Sequence, residues 1–167
     1  MTNTTKKENG ETAREFLRES NAIEGVFDDD SLEEAEVAFE YLMSRDKMTA
    51  EVVKKTHKLL MVNQRTLRET QKGRYRTIPV YIGGREAMSA SRIKSEISIW
   101  CEAMNSVNPT HGWELLHIIY EKVHPFVDGN GRTGRMFLNW HRRKILGEDI
   151  LVIKNSEKQK YYQLFRN

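Results

Sequence analysis

Between Trp113 and Val123 the chain is apolar nearly all round a helical projection, and the run stops at a histidine–proline pair followed by three glycines. Leu115, Leu116, Ile118, Ile119, Tyr120 and Val123 point in too many directions for one surface groove to cover. A helix of this composition, expected over about Thr110 to Val123, must be central, with other helices packed around it. That requirement selects a helical bundle.

The remaining pattern supplies the partners. Ala13, Phe16, Leu17 and Ser20 share one face of a helix expected over Thr12 to Glu24, with Gly25 as its C′ residue. Ser31-Leu32-Glu33-Glu34 reads as a capping box opening a second helix, and Thr49 opens a third carrying Val52, Val53, Thr56, Leu59 and Leu60. A fourth begins near Ser91, lines up Ile93, Ile97, Trp100, Cys101 and Met104, and breaks at Asn108-Pro109. A sixth follows the glycines with Met136, Phe137, Leu138 and Trp140, and a short one spans Ser156 to Phe165. Thr77 to Gly84 alone departs from the period: it is β-branched and ends in two glycines, so an extended segment or small hairpin is expected, with Pro79 keeping it at an edge. The fold class is therefore all-α, with a small β-hairpin, an extended segment or a plain connecting loop at Thr77 to Gly84.

With 38% hydrophobic and 31% charged residues the chain reads as one ordinary soluble domain over 12–167, behind a flexible tail at 1–11. No apolar run is long enough to span a bilayer, and no secretory h-region is visible at the N-terminus. The lone Cys101 forms no internal disulfide and suits a reducing compartment, so the cytoplasm is the expected location, although export by a specialised machine would leave the same sequence. A net charge of +3 and the run Arg142-Arg143-Lys144 read as solvated helix surface, not a nucleic-acid patch. His57, His111, His117 and His141 show no metal-ligand spacing and read as core or surface residues.

Chemistry concentrates in His124-Pro125-Phe126-Val127-Asp128-Gly129-Asn130-Gly131-Arg132-Thr133-Gly134-Arg135. A loop entering a helix N-terminus presents free N–H groups and a positive dipole end, which suit an anion. Gly129, Gly131 and Gly134 let the backbone approach such an anion, and Arg132 and Arg135 are spaced to reach one polyphosphate. Asp128 is a hard oxygen ligand suited to magnesium, and His124 can accept a proton near neutral pH. A turn would explain Gly-Asn-Gly alone and packing would explain a histidine alone. Their coincidence at one loop-to-helix junction is what binding a polyphosphate beside a base requires.

This string resembles the signature of the Fic family, His-Pro-Phe-x-(Asp/Glu)-Gly-Asn-Gly-Arg-x-x-Arg, at every specified position. The resemblance implies a Fic-like helical bundle over about residues 12–165 and transfer of AMP from ATP to a Ser, Thr or Tyr hydroxyl of a protein, with release of pyrophosphate. It implies His124 as the base, Asp128 as the magnesium ligand, Gly129, Asn130 and Gly131 as the anion hole with the Asn130 side chain on the α-phosphate, Arg132 on the β-phosphate and Arg135 on the γ-phosphate. Thr77, Ile78, Pro79, Val80, Tyr81 and Ile82 would form the flap that registers the target. Lys72-Gly73-Arg74-Tyr75-Arg76 resembles an element found ahead of that flap and is given no catalytic role.

Ser20-Asn21-Ala22-Ile23-Glu24-Gly25 is similar to the family's inhibitory motif, in the class that carries it N-terminally. The implied brake is a helix over about 12–25 whose Glu24 engages Arg135. Alternatives on the same site are removal of AMP, transfer of another phosphate-containing group, or a nucleotide-sensing module without catalysis. The expected partners are ATP and a protein substrate, with the chain itself as one candidate and pairing as a homodimer a further expectation. Neither nucleic acid nor membrane is expected.

Overall fold

The computed structural model describes residues 3–107 and 112–165. Among them, seven helices and one hairpin follow in order: α1 (Asn3–Ile23), α2 (Asp29–Met43), α3 (Ala50–Leu60), β1 (Tyr81–Ile82), β2 (Arg85–Glu86), α4 (Ile93–Met104), α5 (Trp113–Val123), α6 (Asn130–His141) and α7 (Lys158–Gln163). The architecture is the expected all-α bundle with a small hairpin. Asn108 to His111, where the break before α5 was expected, lie outside the described residues.

Several boundaries differ from the sequence pattern. Helix α1 begins at Asn3, so most of the segment expected as a tail forms its first turns. Helix α2 is capped by Asp28, whose carboxylate accepts the Ser31 N–H at 2.8 Å. The expected capping box is not used, because Ser31 lies inside the helix and Glu34 accepts from the Asn63 N–H instead. Thr49 caps α3 as its spacing predicts.

The largest correction concerns the centre. Helix α5 buries only one side, through Leu116, His117, Tyr120 and Val123, while Leu115 keeps 42% of its surface exposed. Helix α6 is the central one and is buried continuously from Arg132 to His141. Its polar residues tolerate this because they are paired. Asn139 exchanges two hydrogen bonds with the Leu151 backbone, and the His141 ring N–H donates to the Met104 carbonyl at 2.9 Å. The rings of Trp100, Tyr120 and Phe137 lie 5.1–5.6 Å apart and lock α4, α5 and α6 together.

Phe16 and Leu17 attach α1 to this core, with the Phe16 ring 5.3 Å from that of Phe39 on α2. Gly25 has φ 75°, and the turn around it is closed by hydrogen bonds to the Asn21 and Ala22 carbonyls, as expected for a C′ glycine. Glu24 is thereby delivered just past the helix end. In the hairpin, Tyr81 pairs with Glu86 and Ile82 with Arg85 around Gly83-Gly84, both at positive φ. Thr77 to Val80 lead into the ladder without belonging to it, and the second strand lies beyond the stretch that the sequence singled out.

Candidate active site

The Cα trace turns sharply where α5 ends. His124 has φ 48°, the left-handed region, and among the described residues no other non-glycine has positive φ. This conformation swings its ring back, so that Nδ1 lies 3.3 Å from the Glu121 carbonyl of the preceding turn. A carbonyl only accepts, which puts the proton on Nδ1 and leaves the Nε2 lone pair available. Burial pushes the imidazole below its ordinary pKa, more than the Glu121 contact raises it, so the ring is neutral at pH 7. The Glu121 carboxylate is 3.7 Å from Nδ1, and burial pushes it up to about 7.

The loop after His124 is held from behind. Phe126 is fully buried and stacks on His57 of α3 with ring centroids 3.7 Å apart. His57 accepts the Gly73 N–H at Nδ1 and therefore donates from Nε2 to the Asp128 carbonyl at 3.0 Å. The Asp128 carboxylate takes the Gly129 N–H on one oxygen and the Thr66 hydroxyl on the other. Gly129, at φ 78°, starts α6, and a Cβ there would press on the Met61 sulfur. Among the described residues no side chain caps α6, and the N–H groups of Asn130, Gly131 and Arg132 at its start have no intrahelical acceptors. The Asn130 amide, expected on the α-phosphate, clamps the loop instead by bonding both the N–H and the carbonyl of Phe126 at 2.9 Å.

Arg132 and Arg135 differ sharply. Arg135 is 1% exposed and donates to the Ser20 hydroxyl, the Ser20 carbonyl, Glu24 and the Tyr161 hydroxyl at 2.8–3.2 Å. Arg132 is 3% exposed and reaches only the Met61 sulfur, which leaves Nε and Nη1 buried without acceptors. The Glu24 carboxylate also lies against the first turn of α6, where a methyl on Gly131 would overlap it. Gly134, expected beside the anion, faces the other way: it lets α5 approach closely, and a Cβ there would collide with Glu121 and crowd His117 and Tyr120. Only Gly129 of the three glycines has positive φ.

A cleft of about 300 Å³ joins these groups, lined by Glu24, His124, Asp128, Gly129, Gly131 and Arg132 among others. A second depression of about 510 Å³ at the start of α2 is lined by Asp28, Asp30 and Glu34 with Arg65, so its acidic groups outnumber its one cation. Among the described residues no group of three or more His, Cys, Asp or Glu side chains could hold a metal by itself. Asp128 contributes a single hard-oxygen carboxylate to the cleft wall, its two oxygens accepting the Gly129 N–H and the Thr66 hydroxyl. Among the described residues no helix is long and apolar enough to cross a membrane.

The arrangement sets an uncapped helix N-terminus beside a neutral imidazole, in a fold shared with known proteins. Residues 47–141 match the Fic/DOC family, more than half of the chain, and the chain belongs to that family. It is 28% identical over 99 residues to a protein named protein adenylyltransferase Fic from Drosophila grimshawi and 29% identical to its namesake from Drosophila mojavensis. Each match takes in 56% of this chain but only 20% of the relative, so the chain spans about a fifth of the curated relatives' length. A Fic-domain signaling protein from Bacteroides thetaiotaomicron superposes with TM-score 0.80 at 20% identity, over 95% of this chain and 72% of that one. Fic-1 from C. elegans does so at 0.80 and 19% identity, over 98% and 57%.

Sequence reasoning named the motif residues and the Glu24–Arg135 contact. It read Lys72-Gly73-Arg74-Tyr75-Arg76 as an element ahead of the hairpin without a catalytic role and His57 as a core or surface residue, and it passed over Glu121 and Tyr161, which support the site through spatial neighbours that no linear spacing reveals.

Proposed function

We propose that the chain transfers AMP from ATP to a hydroxyl of a protein and that Glu24 restrains the reaction. The supporting observation is that one cleft combines three free backbone N–H groups at the start of α6, two unpaired nitrogens of buried Arg132, and a neutral His124 with Nε2 open. Buried cation donors without acceptors are costly unless a ligand completes them. A triphosphate supplies the acceptors: the α-phosphate at the N–H groups, the β-phosphate on Arg132, the γ-phosphate on Arg135.

In this reading the target hydroxyl approaches His124. Its oxygen bonds to the α-phosphorus while the bridging P–O bond to the β-phosphate breaks, and the electron pair leaves with pyrophosphate. The hydroxyl proton ends on Nε2. The resulting imidazolium keeps its Nδ1 contact to the Glu121 carbonyl and has the Glu121 side chain nearby. When bound, magnesium on Asp128 would neutralise phosphate charge. The names of the Drosophila relatives agree with adenylyl transfer.

Restraint follows from occupancy. Glu24 holds the guanidinium that the γ-phosphate needs and places its own negative charge against the same helix terminus. ATP must displace it or bind with its tail elsewhere, which turns the α-phosphorus away from the base.

The test uses ATP labelled at the α- or the γ-phosphate, with magnesium, and reads which label the protein carries. Retention of the α label alone, lost in His124→Ala, is the expected result. Retention of the γ label would establish phosphate transfer instead, and hydrolysis without labelling would overturn transfer to protein.

A further inference from the structure

Arg76 is 3% exposed and forms no ion pair among the described residues; its side chain bonds only backbone carbonyls. Nε donates to His124 at 2.7 Å, Nη1 to Ile78 at 3.0 Å, and Nη2 to Val123 at 3.2 Å and to Met88. Its own N–H donates to the Pro125 carbonyl at 2.9 Å. Two of these carbonyls end α5, where a helix leaves acceptors unsatisfied and the dipole favours a cation. The other two flank the hairpin: Ile78 precedes β1 and Met88 follows β2.

One planar guanidinium therefore fixes three segments relative to each other, which a flexible ammonium cannot reproduce. Among them is His124, in a left-handed conformation that is unfavourable for a non-glycine and persists only when its surroundings impose it. The hairpin meanwhile presents Tyr81 and Ile82 to solvent.

We infer that Arg76 is a positioning residue that couples the hairpin to His124, so that a target segment lying along the hairpin and the imidazole receiving its proton stay in one register. The inference rests on the adenylyl-transfer reading and adds a residue to it.

The test compares Arg76, Arg76→Lys and Arg76→Ala, each in the Glu24→Gly background, by amide exchange, NMR titration of the His124 ring, ATP calorimetry and labelling rate. In both variants the amides of residues 78 to 88 should exchange faster and label transfer should slow by about tenfold or more, as loss of several charge-assisted hydrogen bonds implies. ATP affinity should not change, because Arg76 does not line the cleft. The His124 titration should move upward in Arg76→Ala, which removes a nearby positive charge.

Faster exchange with an unmoved ring and an undiminished rate would overturn the coupling, as would an ATP affinity that falls in step with the rate. Should Arg76→Ala not fold, the exchange and rate of Arg76→Lys decide. Should the parent transfer no label at all, the adenylyl-transfer reading falls, while exchange and titration still decide the coupling.

Discussion

Arg132 and Arg135 leave α6 one turn apart, and both are almost wholly buried, yet their surroundings are opposite. Arg135 is saturated by Ser20, Glu24 and Tyr161, whereas Arg132 has a thioether and two orphaned nitrogens. The difference separates two meanings of a buried cation. One is held by the protein's own carboxylate. The other is buried with two nitrogens that find no acceptor among the described residues.

The contrast can be broken at several points. His124→Ala removes the base beside both arginines and should slow label transfer by roughly 10²–10⁴-fold while ATP still binds. Quench-flow rates with calorimetric affinities check this. Glu24→Gly should take the one carboxylate off Arg135, leaving its neutral partners Ser20 and Tyr161, and raise transfer by about 10–100-fold, the range of a typical coupling energy. The Glu24 side chain is 36% exposed, so that gain comes from freeing the site rather than from a large loss of stability.

Replacing each arginine with methionine sharpens the comparison. Arg132→Met should weaken ATP binding by about tenfold or more and change the unliganded stability little, since two unpartnered buried nitrogens are removed together with the longer-range attraction of Asp128, Glu24 and Glu34. Arg135→Met should lower stability by about 1–3 kcal/mol, because Ser20 and Tyr161 lose their donor. Denaturation and calorimetry on the same pair would reverse the roles assigned here if Arg132→Met proved the less stable variant.

The effect most remote from the two arginines concerns pH. Burial lowers His57 to about 4, so between 6.5 and 4 the unfolded chain binds a proton that the native state refuses. Stability should therefore fall as pH drops through that window, by at most roughly 3 kcal/mol from this residue, and His57→Gln should flatten the fall. Glu121 has the opposite sign. Held near 7, it costs stability as pH rises from about 4.5 toward 7, and Glu121→Gln should remove that loss. Chemical denaturation across pH distinguishes the two.

What was legible in the sequence follows from the range over which each signal acts. Helix period, the Gly25 and Thr49 termini and the twelve-residue motif are local, and each reappears in the structure. The centre of the bundle was misjudged because hydrophobicity was taken for depth. Helix α5 is richer in apolar residues, but α6 lies deeper, since Asn139, His141 and Thr133 find partners across the core. Gly134 was grouped with Gly129 and Gly131 as a glycine admitting an anion, and only the position of Glu121 shows that it serves helix packing. His57 left no mark, because its value lies in stacking on Phe126 and tethering Asp128 from another helix.

The central claim is that a nucleotide tail and Glu24 compete for one guanidinium beside a working base. Labelling by α-labelled ATP, in wild type and in Glu24→Gly side by side with magnesium present, tests it most directly. A rate in the variant at least about tenfold above wild type is the predicted result. Equal rates, or no protein-bound label in either chain, would contradict it.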